Sequence, residues 1–104
     1  MQPHRGEVWL IDFGLAGKVR PALVVNTAFR DRDRALISVI PHTTSTRGSD
    51  LEVSVSVPFL KPGAFLVQGI TTFPTTHVLR KLETLSAAQF DQVFVRLLKW
   101  LGHS

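Results

Sequence analysis

The sequence predicts a small α+β domain, mainly β, in which a curled antiparallel sheet carries one C-terminal helix. Three observations predict it. Short β-branched and aromatic runs, separated by Gly-, Pro- and Ser-rich turns, follow one another as far as Leu82. Residues 51–57 alternate strictly, apolar on odd positions and polar on even ones, the pattern of a strand with one wet face. Only the last segment, from Ser86 onward, repeats its apolar residues at helical spacing.

Val8 to Phe13 reads as the first strand, with Trp9, Ile11 and Phe13 of one parity and therefore expected in the core. Gly14 to Lys18 follows as a Gly-bounded loop. Arg20 to Asn26 is the second strand. Pro21 cannot donate to a ladder, so it belongs at the strand start or on an edge. Thr27 to Arg34 holds the charge-alternating Arg30-Asp31-Arg32-Asp33-Arg34, a turn or short helix whose arginines form a solvated face. Ala35 to Pro41 is a third strand, and His42 to Asp50 a polar loop.

The alternating strand 51–57 is followed by a turn from Pro58 to Gly63 and a strand from Phe65 to Thr72. Pro74 to His77 is a turn or a single helical turn, and Val78 to Leu82 a short extended segment. In the helix, Ser86 is a good N-cap and Gln89 stands where a capping box needs it. Phe90, Val93, Phe94, Leu97, Leu98 and Leu101 recur along one stripe with Trp100 beside them, and Gln92, Arg96 and Lys99 lie opposite. Gly102 ends the helix in a left-handed conformation.

The 104 residues suit one domain spanning 1–104, short enough that a homodimer would add useful buried area. The chain has no cysteine, which removes disulfides, thiolate nucleophiles and cysteine-based zinc sites, and fits a reducing cytoplasm. No apolar run approaches the roughly 20 residues that span a bilayer, and the first residues show no secretory apolar region, so no membrane partner is expected. The net charge is +4, and most of the basic residues are arginine, which favours polyanionic partners and bidentate phosphate contacts.

No Gly-rich phosphate loop is present, and His4, His42, His77 and His103 are scattered without metal-ligand spacing, so no metal or cofactor is expected. What remains is a set of polar residues at strand ends beside basic loops. Arg20 offers five donors in a rigid fork suited to phosphate oxygens. Thr43 offers a hydroxyl, with Thr44 the alternative if the strand slips by one residue. Taken alone, Arg20 reads as a solvated strand-start arginine and the threonines as turn formers. Phe73 reads equally as a base-stacking ring or as packing under a loop.

Arg5-Gly6-Glu7-Val8-Trp9 through Asp12-Phe13, then Arg20-Pro21 and an aliphatic strand, resembles the opening of MazF/PemK toxins. Ile40-Pro41-His42-Thr43 is similar to that family's third-strand end, Pro-X-Thr, and its spacing from Arg20 also matches. Phe65 to Gln68, Arg80-Lys81-Leu82 and the closing Trp100-Leu101-Gly102 are similar to one branch of it, so the resemblance covers nearly the whole chain. It implies an SH3-like barrel with a C-terminal helix, a homodimer, and a cytoplasmic toxin of a toxin–antitoxin system.

The activity implied is metal-independent, ribosome-independent cleavage of single-stranded mRNA at a short sequence, blocked by an acidic MazE-like antitoxin in the RNA groove. The family's catalytic arginine and threonine map to Arg20 and Thr43. Lys18, Arg47, Gln68, Thr71 and Phe73 are the expected RNA contacts. His42 and Thr44 stand as groove-lining or catalytic candidates, although strand alternation puts His42 on the face opposite Thr43. Where many members have Gln-Ile-Arg-Thr, this chain has Gly69-Ile70-Thr71-Thr72, so no target sequence carries over. Two other functions suit such a barrel: a non-enzymatic CcdB-like toxin that binds DNA gyrase, and an RNA-binding domain without chemistry.

Overall fold

Each predicted run becomes extended backbone where a partner strand lies beside it, and stops where the partner does. The computed structural model describes residues 2–15 and 18–103. Its strands are β1 (Glu7–Asp12), β2 (Val19–Val24), β3 (Leu36–Thr43), β4 (Glu52–Val53), β5 (Ala64–Leu66), β6 (Thr71–Pro74) and β7 (Val78–Thr84), followed by α1 (Ala87–Trp100). All pairings are antiparallel, in the order β4-β5-β3-β2-β1-β7, with β6 also on β3. Among the described residues β4 and β7 do not pair, so the sheet curls into an open barrel and not a closed one.

Pro21 lies inside β2, opposite Leu10 of β1, but the ladder to β3 begins only at Ala22 opposite Pro41. Its missing donor therefore costs no bond to β3. The run predicted as one strand from Phe65 to Thr72 is broken. It follows β3 antiparallel twice, with Phe65 opposite His42 and later Thr71 opposite Val39. Between them a 3-10 turn, Val67–Gly69, is looped out, with Ile70 N–H donating to Val67 O. The alternating strand 51–57 keeps its burial pattern but not its ladder. Val53 and Val55 are buried, Ser54 and Ser56 exposed, yet only Glu52 and Val53 pair, because β5 ends after three residues.

Apolar side chains cover both faces of the curled sheet. One face joins Val8, Leu23, Ile40 and Phe65 to Phe90, Val93 and Leu97 of α1. Burying each of those three helix side chains contributes about 1.5–3 kcal/mol. The other face gathers Trp9, Ile11, Ala22, Val24, Ile37 and Val39, with Phe13, Phe73 and Val78 against them. The capping box forms as expected, with Gln89 N–H donating to Ser86 Oγ and Ser86 N–H to Gln89 Oε1. At the other end Gly102 has φ +88°, and His103 N–H reaches Leu98 O at 2.8 Å, a Schellman closure. Leu101, expected on the buried stripe, and Trp100, expected beside it, are 60% and 45% exposed.

Candidate functional site

The β1–β2 connection sets the first wall of the site. Gly14 N–H donates to Asp12 Oδ1, and Phe13 N–H to Lys18 O at 2.9 Å, which closes the loop. Lys18 has φ +59°, a left-handed residue that turns the chain into Val19. Residues 16 and 17 of the predicted Gly14–Lys18 loop lie outside the described residues. Arg20 follows in β2, opposite Ile11, half-buried.

The second wall is the end of β3. The strand continues to Thr43, so His42 and Thr43 take opposite faces. His42 is buried, its ring edge-on to Phe65 with centroids 5.1 Å apart. Its Nε2 is buried without a hydrogen-bond partner, and burial pushes the imidazole below its ordinary pKa, so it is neutral at pH 7. Thr43 Oγ1 accepts from Ser45 N–H at 3.1 Å, while its own hydroxyl reaches Ser45 O only at 3.4 Å. A bond that long leaves the hydroxyl proton available to a better acceptor. Gly63 presses on this strand end. A Cβ there would overlap the Thr43 carbonyl oxygen and lie 2.9 Å from His42 Cε1.

These walls enclose a cavity of about 540 Å³. Of the sequence-predicted residues, Lys18, Arg20, His42, Thr43 and Thr44 all line it. Lys61 and Arg80 line it as well, and no described lining residue is acidic. Sequence reasoning missed these two cations. Lys61 sits in the Pro58–Gly63 turn before β5, and Arg80 arrives through β7 opposite Leu10, so only the tertiary fold brings them to the site.

A second cavity, about 380 Å³, shares Thr43 and Ser45 with the first and adds Arg47, Glu52 and Gln68. Arg47 and Gln68, both predicted, therefore sit on the other side of Thr43. Thr71 and Phe73 line neither cavity. Thr71 Oγ1 donates to Gly69 O at 2.8 Å. The Phe73 ring packs edge-on to Phe13 and stacks on His77, at centroid distances of 5.0 and 4.9 Å, so its aromatic partners are the protein's own. Among the described residues no group of three His, Cys, Asp or Glu side chains is placed to hold a metal ion. No described helix is long and apolar enough to cross a membrane.

A cavity whose described lining holds four Lys and Arg side chains, the Thr43 hydroxyl and no carboxylate suits an anionic phosphodiester. Residues 4–101 match a family model described as the PemK-like, MazF-like toxin of type II toxin–antitoxin systems. Among solved structures, the fold is similar to an endoribonuclease in complex with its cognate antitoxin from a mycobacterial species. That pair is 24% identical, with a TM-score of 0.84 over 98% of this chain and 97% of the other. It is also similar to a MazE–MazF complex from Deinococcus radiodurans, 24% identical, with a TM-score of 0.82 over 100% of this chain and 99% of that one. MazF from the same organism is 25% identical, with a TM-score of 0.80 over 98% of each chain. No curated protein matches the sequence.

Proposed function

The chain belongs to the family of PemK-like, MazF-like toxins of type II toxin–antitoxin systems, and from that premise we propose that it is a metal-independent endoribonuclease acting on single-stranded RNA. The observation that carries the reading is that Lys18, Arg20, Lys61 and Arg80 line one cavity together with Thr43. RNA brings its own nucleophile. The 2′-hydroxyl oxygen attacks the adjacent phosphorus and gives up its proton to water, the bond from phosphorus to the 5′-oxygen breaks, and that oxygen takes a proton from water, leaving a 2′,3′-cyclic phosphate and a 5′-hydroxyl. The enzyme has to align the two oxygens and neutralise the charge that builds on the phosphorane.

Arg20 acts as a fork of donors to the phosphoryl oxygens, since a guanidinium group donates and does not accept. Thr43 donates its loosely held hydroxyl proton to the same developing charge. His42 is neutral, but its Nε2 is covered, which suits a wall of the cavity better than a proton acceptor. The protein acts in the cytoplasm as one domain over residues 1–104 and as a homodimer. Exposed Val19, Leu79, Val95, Trp100 and Leu101 leave apolar surface for a second copy. An acidic antitoxin blocks it by occupying the same cationic cavity.

The test is to incubate purified protein with a long single-stranded RNA in EDTA and map the ends. Discrete cuts bearing 2′,3′-cyclic phosphate and 5′-hydroxyl are expected, with Arg20→Ala folded and at least about a hundredfold slower, the usual cost of one lost transition-state donor. Cuts that require added metal would overturn the mechanism. Intact RNA bound in a salt-sensitive way would make the protein a binding domain without chemistry.

A further inference from the structure

The loop between β3 and β4 carries Arg47 along the second cavity, and one carboxylate holds it in shape. Glu52 Oε1 accepts from Arg47 N–H at 2.9 Å and from Ser49 N–H at 3.0 Å, and Oε2 accepts from Arg47 N–H at 3.1 Å. Two further ties fix the ends. Thr43 Oγ1 takes Ser45 N–H, and Arg96 Nη1 donates to Asp50 O at 2.6 Å.

An anion in the wall of a cavity meant for a polyanion is otherwise a defect, since like charges repel there. Here the charge is taken up by the loop's own backbone donors at Arg47 and Ser49. The same bonds from Arg47 and Ser49 hold the Glu52 carboxyl below its ordinary range, so it is ionised at neutral pH. From this geometry we infer that Glu52 is a positioning residue, pre-forming the 44–51 loop so that Arg47 faces the RNA strand beyond Thr43. The inference rests on the reading of the groove as an RNA site and adds to it the residue that organises its second half.

The test combines amide exchange with RNA binding and turnover. The probe is a single-stranded RNA spanning a mapped cut, with 2′-deoxyribose at that cut for the binding arm. In Glu52→Ala the Arg47 and Ser49 amides lose protection. Kd and KM rise about tenfold, because the loop must now be ordered on binding, while kcat stays within about twofold. Glu52→Gln keeps an acceptor oxygen and should restore about a third of the lost affinity in fold terms. Arg47→Ala added to Glu52→Ala should weaken binding little further, the signature of two residues acting as one unit.

Unchanged RNA affinity with protection lost overturns the positioning role and leaves the nuclease reading standing. So do strictly additive losses, or an altered cut sequence with the amides still protected, which would make Glu52 a direct base contact. Failure of the wild-type protein to bind or cut RNA overturns the underlying reading and this inference with it.

Discussion

Gly63→Ala tests whether the strand end at Thr43 is held by contact. The added methyl would overlap the Thr43 carbonyl oxygen, approach the Thr43 carbonyl carbon to 3.0 Å and His42 Cε1 to 2.9 Å. Carbon atoms rest about 3.5–4.0 Å apart, so one partner must retreat by roughly 0.5–1 Å. Two of the three atoms met are backbone, in the strand β3 that pairs with β5 at this very residue, so no side-chain rotation relieves the clash. Overpacking of this kind costs about 1–3 kcal/mol. For a domain of this size 2 kcal/mol lowers the melting temperature by roughly 8–16 °C.

The functional cost is expected to be the larger one. A 1 Å displacement of a reacting group costs on the order of a hundredfold in rate. The Thr43 hydroxyl is carried by the backbone that has to move. Urea melts and RNA cleavage rates on the same preparation check both figures, with RNA affinity as a third measurement. Gly102→Ala is the control: Gly102 has φ +88° but open space around its missing Cβ and lies past the end of α1, so it costs about 1 kcal/mol of strain without moving Thr43. Wild-type stability and wild-type cleavage in Gly63→Ala would refute the argument. A large loss of stability with cleavage unchanged would show that Thr43 does not set the rate.

Two further outcomes follow from burial and charge. The pKa of His42 is depressed by burial in the folded state, while the unfolded chain titrates near about 6.5. Below that pH the unfolded state takes up a proton that the native state refuses, so stability is full above about 6.5 and falls as the pH drops toward the native value. His42→Phe should flatten this fall, as read from urea midpoints at pH 7.5 and pH 5, and an unchanged slope would remove His42 as its source. Arg80→Ala should weaken RNA binding several-fold and reduce the slope of log Kd against log salt by about 0.7, the value for one phosphate contact to a single strand. An unchanged slope would place Arg80 off the RNA path.

The parts of the fold that announce themselves in the sequence are those settled by local chemistry. Ser86 and Gln89 form their box from neighbouring atoms, and Phe90, Val93 and Leu97 find the sheet by periodicity alone. The alternation at 51–57 predicts which side chains are buried, because that depends on parity. It does not predict the ladder, because a ladder needs a partner and β5 is too short. The same limit applies at the site. Arg20 and Thr43 are visible as strand-end residues in a spaced pattern, whereas Lys61 and Arg80 enter through packing that no local signal encodes. Phe73 looks available for stacking in its polar stretch, but Phe13 arrives from a distant segment and His77, four residues on, stacks on its ring.

The glycine at position 69 has a steric reason. A Cβ on Gly69 would lie 2.9 Å from Pro41 Cγ and 3.3 Å from Pro41 Cδ. Pro41 stands two residues before Thr43, so a side chain at 69 would push on the strand that presents the hydroxyl. Thr71 turns its own hydroxyl back to Gly69 O, which closes the chain as it leaves the 3-10 turn. Residues 67–71 thus serve to brace β3, and the positions where the family pattern carries glutamine and arginine carry no long polar side chain toward the cavities. Beside Lys18 and Arg20, the cations lining the two cavities are Lys61, Arg80 and, in the second, Arg47. On the RNA reading, the chemistry of cleavage and the choice of cut site then rest on different residues. In that proposal Arg20 and Thr43 take the phosphate, while the flanking nucleotides meet Lys61, Arg80 and Arg47, carried by other segments of the chain.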